Sequence, residues 1–441
     1  MSSKQERSDV MEDSKLKLVP KLRFPEFREA DVWKLVTLKK ASVPVTERVG
    51  KRKLTPVSIS AGVGFVPQAE KFGRDISGNQ YQLYILINDG DFVFNKGNSL
   101  KFPQGCVYLL QGWGSVAAPN VFICFRLKDG YSNGFFQSCF EQNQHGNQLK
   151  KHITSGARSN GLLNISKETF FGVEIPTPSL AEQQKIADCL SSLDELIAGQ
   201  GSKIDTLKTQ KKGLMQQLFP REGETQPRLR FPEFMGSGEW EEKPFSKLCS
   251  IKHGFAFDGA FFTNKSEYVL LTPGNFYEEG GYRDRGEKQK YYSGEIPQNY
   301  ILNSGDLLLA MTEQAAGLLG SPILVPESDR FLHNQRLGLV TKKSGVAWMT
   351  EFFFHVFNTQ PVRKAIHASS SGAKVRHTSP TKIGEVVFSF PNSLLEQQRI
   401  AGCLTTLDNL ITVQIQKLEA LKTYKKALIQ QLFPSVEVAE A

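Results

Sequence analysis

No apolar run in the 441-residue sequence approaches the roughly 18 residues that a membrane helix requires, and the opening stretch, MSSKQERSDVMEDSK, is charged throughout rather than signal-like. The expectation is a cytoplasmic protein with a polar N-terminal tail. The six cysteines, at 106, 124, 139, 189, 249 and 403, form no CxxC pair and no Cys/His spacing suited to zinc, which argues against a disulfide framework and against a metal site. Catalytic signatures are missing too. Gly50-Lys-Arg-Lys-Leu-Thr-Pro56 lacks the glycine spacing of a phosphate loop, and no GxGxxG, HExxH or zinc-deaminase pattern occurs. Lys252-His-Gly254 and Gly274-Asn-Phe276 are too generic for a cofactor pocket, and Asp306 with Glu313 reads as a turn aspartate beside a surface glutamate. No enzymatic activity is expected of the chain.

What is present suits two or three soluble domains: 40% hydrophobic, 10% aromatic and 22% charged residues over a length too great for one core. The formal charge of +9 favours polyanionic partners. It is uneven, because residues 1–220 carry 29 Lys and Arg against 21 Asp and Glu, while the remainder carries 25 against 24. A nucleic-acid partner would draw harder on the first half for phosphate contacts.

The main feature is a repeat. Glu182–Pro220 aligns without a gap with Glu396–Pro434, and 24 of 39 positions are identical, including EQQ, KK and the closing QQLFP. A second block, Pro20-Lys-Leu-Arg-Phe-Pro-Glu-Phe27, recurs as Pro227-Arg-Leu-Arg-Phe-Pro-Glu-Phe234. Between these markers only fragments match: Asn88-Asp-Gly-Asp91 with Asn303-Ser-Gly-Asp306, and Ser155-Gly-Ala-Arg158 with Ser371-Gly-Ala-Lys374. Ser179-x-x-Glu182 and Ser393-x-x-Glu396 have the form of capping boxes, in which the Ser hydroxyl accepts from the N3 amide and the Glu reaches back to the cap amide. Apolar residues follow in heptad phase at Ile186, Leu190, Leu193, Ile197, Ile204, Leu207, Leu214 and Leu218, and in the copy at Ile400, Leu404, Leu407, Ile411, Leu418, Leu421, Leu428 and Leu432. Gln200 with Gln414, and Lys211 with Lys425, interrupt the seams at matching places and would fix register. Both helices should stop at Phe-Pro, after about forty residues or roughly 60 Å. Gly199 and Gly201 predict a bend or fray in the first copy.

The units between read as mixed α and β. Strand-like runs at Phe92–Phe94, Gly105–Leu110 and Val121–Phe125 have counterparts at Tyr268–Leu271, Asp306–Leu309 and Leu337–Val340. Polar and basic residues gather in loops: Asn95, Lys96, Asn98, Ser99 and Lys101; Gln144, His145, Asn147, Lys150 and Lys151; and Arg158. The second unit offers Thr312, Gln314, Asn334, Arg336, Ser370, Lys374, Arg376 and His377. Such side chains pair with base edges or hold phosphates. Any one loop alone reads as solvated surface. Together, with matched SGA(R/K) loops, they favour DNA contact.

At this point the sequence resembles the specificity subunit of type I restriction-modification systems, through PSLAEQQKIA and NSLLEQQRIA at the helix starts and KKGLMQQLFP and KKALIQQLFP at their ends. The resemblance covers essentially the whole chain. It implies an α+β protein: two mixed α/β target-recognition domains separated by a pair of long antiparallel coiled-coil helices, with a pseudo-two-fold internal repeat. The expected layout is a tail (1–18), recognition domain 1 (19–178), spacer helix 1 (179–220), recognition domain 2 (221–392), spacer helix 2 (393–434) and a C-terminal tail (435–441). It further implies that each recognition domain reads half of a split double-stranded DNA target, that the helices set the spacer, and that the partners are two methyltransferase subunits and restriction subunits. S-adenosylmethionine, ATP and Mg would then belong to those partners, with no cofactor on this chain. The alternative from the residues alone is a scaffold whose coil positions two protein-binding domains; salt dependence separates the two, since phosphate-dominated binding weakens steeply with salt.

Overall fold

A computed structural model describes residues 18–97, 102–153, 162–313 and 317–434. Contacts divide the chain into two units, 1–199 with 418–441 and 200–417. Both boundaries fall inside long helices, Leu180–Leu218 and Leu394–Leu432, so each unit contains the first half of one helix and the second half of the other.

In the first unit a four-stranded antiparallel sheet runs in the order Ser42–Pro44, Ile123–Leu127, Asp91–Asn95, Cys106–Leu109. Lys34–Thr37 pairs separately with Glu174–Thr177. Phe92, Phe94, Phe125, Phe135, Phe136 and Phe170 are fully buried, and Phe94 stacks on Phe170 at 4.4 Å. This core takes Ile186, Leu190 and Leu193 from the first helix and Leu428, Leu432 and Phe433 from the end of the second. Phe433 lies 5.3 Å from Phe135 and 6.1 Å from Trp33.

The second unit repeats the plan: Cys249–His253, Leu337–Lys342, Leu307–Ala310, Pro322–Leu324 in one antiparallel sheet, and Glu241–Pro244 against Val387–Phe390. Its core takes Leu218 and Phe219 from the first helix with Ile400 and Leu404 from the second, and Phe219 lies 6.4 Å from Trp240. A second sheet in this unit runs Phe262–Thr263, Tyr291–Tyr292, Tyr268–Leu270, Phe331–Leu332. The sheet orders correct the strand correspondence expected from the sequence. Asp91–Asn95 matches Leu307–Ala310, each entered from an N-x-G-D turn whose Asp accepts from the backbone N–H of the Asn at 2.8 Å; Tyr268–Leu270 instead pairs in parallel with Phe331–Leu332, as Pro56 does with Ala117 in the first unit. The fragments flanking the turn were the better guide, because a hydrophobic run carries no information about which strand it is.

The helices pair antiparallel. In the second unit Gln200 Nε2 donates to Gln414 Oε1 at 2.9 Å and to its carbonyl at 3.0 Å, while Lys211 meets Asp408 at 2.5 Å. The equivalent ion pair in the first unit joins Lys425 to Asp194 at 2.6 Å. Both glutamines are 8% exposed, so their mutual bonding satisfies amides that a seam would otherwise bury unpaired. Ile186, Leu190, Leu193, Ile204, Leu218, Ile400, Leu404, Ile411, Leu428 and Leu432 are buried; Ile197, Leu207, Leu214, Leu407, Leu418 and Leu421 are half-buried. The first helix continues without interruption through Gly199 and Gly201, contrary to the expected fray. Packing of the apolar face outweighs a propensity cost of about 1 kcal/mol per glycine.

Candidate nucleic-acid interface

The shared sequence blocks turn out to be a frame that holds the variable loops. Ser179 Oγ and Ser393 Oγ accept from the Glu182 and Glu396 amides at 3.4 and 3.3 Å, as a cap requires. The glutamate half of the expected capping box is replaced. Glu182 instead takes a bidentate bond from Arg23 (2.8 and 2.7 Å) and one from Trp33 Nε1 (3.3 Å), and Glu396 does the same with Arg230 (2.7 and 2.8 Å) and Trp240 (3.2 Å). Both carboxylates are 1% exposed, and a guanidinium fork neutralises such a charge better than a backbone N–H does. The bond to the carboxylate raises the pKa of each arginine. The adjacent Gln183 and Gln397 are buried as well, each donating to a proline carbonyl and accepting from a backbone amide, of Ser132 and Met349 respectively. Of the EQQ residues only the third, Gln184 and Gln398, is exposed. The LRFPEF block also reaches the closing helix ends: Leu22 N–H donates to Gln431 O at 3.0 Å and Leu229 N–H to Gln217 O at 2.9 Å.

On this frame the same pair of loops meets in each unit. In the first, Gly97 bridges antiparallel to Leu162, and Leu163 N–H donates to Lys96 O at 2.9 Å. In the second, Thr312–Glu313 pairs with Arg376–His377. Each bridge joins the segment following the N-x-G-D strand to the segment following the SGA(R/K) loop. The second unit adds a third segment, because Met311 N–H donates to Arg336 O and Thr378 N–H to Met311 O, both at 3.0 Å. Thr312, Arg336, Arg376 and His377, far apart in sequence, thus share one edge. Arg336, Lys374, Arg376 and His377 are exposed, and Ser370 and Thr312 half-buried.

A family model described as the type I restriction modification DNA specificity domain matches residues 76–209 and 237–423. The chain belongs to this family. Among curated relatives, the MjaVIII specificity subunit of Methanocaldococcus jannaschii is 24% identical over 282 residues, 64% of this chain and 66% of that one. The EcoBI specificity subunit of Escherichia coli is 28% identical over 196 residues, 43% of this chain and 38% of that one. The chain thus spans less than two thirds of the length of these relatives. Among solved structures, the S subunit from M. genitalium superposes with a TM-score of 0.57 at 14% identity, covering 95% of this chain and all of that one. A structure from work on complex assembly and conformational transition of the type I R-M system gives 0.53 at 15% identity, covering 91% and 98%. Both likenesses concern the fold: mixed helix and sheet in two units with paired long helices.

Within that family frame the sequence-derived residues sort by burial. Asn147, Lys150 and Lys151 are exposed on or beside the short helix Gln144–Leu149, and Gln144 and Lys96 are half-buried. Asn98, Ser99, Lys101, Arg158 and Gln314 lie outside the described residues. Three must be corrected to structural roles. Asn95 is 8% exposed and its amide is spent on Ile59 O and the Gly97 N–H. His145 is 1% exposed between the rings of Phe94 and Phe140, and burial pushes its pKa down to about 4. Asn334 is 6% exposed and accepts from the Arg336 N–H at 3.0 Å. Asp306 closes its turn, and Glu313, far from being a surface residue, is buried and accepts from the backbone N–H groups of Gly317, Leu318 and Leu319.

Sequence reasoning missed the neighbours of Arg336. Phe255 bridges to Asn334 and is 37% exposed beside exposed Gln335, and Lys252 lies 4.6 Å over the Tyr300 ring. The signal was Gly254: a Cβ there would overlap the backbone of His333 and Asn334, so glycine lets two segments touch. No helix among the described residues is long and apolar enough to cross a membrane.

Proposed function

We propose that the chain is the DNA sequence-specificity subunit of a type I restriction-modification complex, a cytoplasmic, non-catalytic component. Each unit reads one half of a bipartite double-stranded DNA target, and the paired helices set the spacer and dock two methyltransferase subunits. Restriction subunits complete the assembly. S-adenosylmethionine, ATP and Mg act on those partners. The observation that carries this reading is the recurrence, in both units, of one loop pair on one frame while the loop sequences differ: two copies of a reading device with two different readouts. The positive charge and the exposed Lys and Arg of the loops support DNA as what is read.

The test is methylation mapping of DNA from cells carrying the chain with its methyltransferase partners. One split sequence with a fixed spacer is expected; a continuous site, or none, refutes the reading.

A further inference from the structure

Among the described loops, Ser371–His377 in the second unit has a built geometry rather than mere exposure. It is a short ribbon closed at its base by a single reciprocal pair, Ser371 N–H to His377 O at 3.0 Å and His377 N–H to Ser371 O at 2.8 Å. The returning strand, Arg376–His377, is itself held against Thr312–Glu313. Gly372 has φ +104°, and a Cβ on it would run into the Val375 carbonyl oxygen, so the entry to the turn admits only glycine. Behind the ribbon the buried Glu313 carboxylate gathers three backbone N–H groups at 2.9–3.1 Å, which fixes the strand that Arg376 and His377 pair with. The ribbon presents Lys374, Arg376 and His377, all exposed, and the sequence Ser369–His377 contains no acidic residue. Arg376 Nη1 is steadied by Ser370 Oγ at 3.4 Å.

The major groove is about 12 Å wide, and Arg bidentate to guanine O6 and N7 is the commonest specific contact there. A floppy basic loop would suffice to hold phosphates. A ribbon closed at its base and required to be glycine at the entry to its turn is preorganised, which lowers the ordering cost of placing a side chain on a base edge. The geometry points to Ser371–His377 as the major-groove reading ribbon of the second unit, with Arg376 the residue that reads a guanine of one half-site. This rests on the function proposed above and narrows it to one element and one residue.

The test compares wild type, Arg376→Lys and Arg376→Ala, each assembled as full chain with the methyltransferase partners, by methylation mapping and by binding to duplexes varied one base pair at a time. Lysine keeps the charge and loses the fork. For Arg376→Lys the expected result is that discrimination at one guanine of one half-site falls roughly 5- to 150-fold, while the other half-sequence, the spacer and the slope of affinity against salt stay as in wild type. Arg376→Ala should relax the same position and no other. Equal weakening on all sequences with a shallower salt slope would make Arg376 a phosphate contact and overturn the assignment, as would unchanged discrimination in both variants. A split wild-type sequence that the variants leave intact refutes the ribbon alone. A wild-type complex that marks no split sequence refutes the parent reading, and the ribbon assignment falls with it.

Discussion

Replacing Arg230 by Ala tests the frame directly. In the native second unit the Glu396 carboxylate, 1% exposed, is held by two Arg230 bonds at 2.7 and 2.8 Å and by Trp240 Nε1 at 3.2 Å. The substitution leaves the charge buried with the indole as its remaining side-chain partner, and it also removes the Arg230 bonds to Ser237 O and Gly238 O. Breaking a buried pair from one side costs about 3–5 kcal/mol. For a unit of this size, roughly 2–4 °C per kcal/mol converts that to a fall in melting temperature of about 6–20 °C, read by calorimetry or circular dichroism. The sharper readout is the second substitution. If the loss comes from an uncompensated charge, adding Glu396→Gln to Arg230→Ala should recover at least ~1 kcal/mol rather than add a further penalty, since the amide can stay neutral where the carboxylate cannot. Arg23→Ala and Glu182→Gln in the first unit form an independent replicate with the same bond set. A single-substitution loss below ~1 kcal/mol, or a double variant weaker by the sum of its parts, would refute the argument that the two shared blocks are joined by a desolvated ion pair.

Three further outcomes are expected. Gly199→Ala and Gly201→Ala meet nothing within 4 Å of the new Cβ, so each should stabilise the first helix by up to about 1 kcal/mol, and a loss of stability in denaturant titration would show that the glycines are needed. Burial lowers the pKa of His145 and His333 to about 4 and of His355 to about 3. The unfolded chain therefore takes up these protons first as pH drops below about 6.5. Stability should be full above that pH and decline toward pH 4, and His355→Gln should flatten the slope; an unchanged slope contradicts the assignment. Inserting seven residues after Gln200 and seven after Gln414 adds about 10 Å to each helix, close to three base pairs; methylation mapping should show a longer spacer with both half-sequences unchanged, and an altered half-sequence would mean the helices are not the ruler.

Much of the fold was legible because it was periodic or duplicated. The heptad seam, the capping serines and the terminal Phe-Pro located both helices to within a residue or two, and the observed ends, Leu180–Leu218 and Leu394–Leu432, follow from them. The Gln200–Gln414 contact was legible as two interruptions in phase. The role of Glu182 was not, because its partner Arg23 lies 159 residues away and a Ser-x-x-Glu spacing looks complete on its own. The candidate loops were found by composition, which cannot separate an exposed asparagine from one whose amide is consumed by the backbone; hence Asn95 and Asn334 were included and Phe255 was not. What brought Thr312, Arg336 and Arg376 together is strand pairing over long separations, and neither residue type nor spacing encodes that.

The pairing also accounts for why the helical segments stayed alike while the units between them did not. Each interhelical contact draws one side from each copy: Lys211 with Asp408, Lys425 with Asp194, Gln200 with Gln414. Each core likewise needs the start of one copy and the Leu-Phe end of the other. A change in one copy must therefore fit a surface supplied by the second, and that surface recurs with the roles exchanged. The fifteen positions at which Glu182–Pro220 and Glu396–Pro434 differ follow this rule. Thirteen are exposed in at least one copy, and the other two, Ile204 with Leu418 and Met215 with Ile429, exchange one apolar side chain for another. The bridged loops meet no such condition, since Thr312 and His377 pair within their own unit, and Gly97 and Leu162 within theirs. Each loop pair has to close its bridge within one unit, so a change there leaves the frame that both copies share intact.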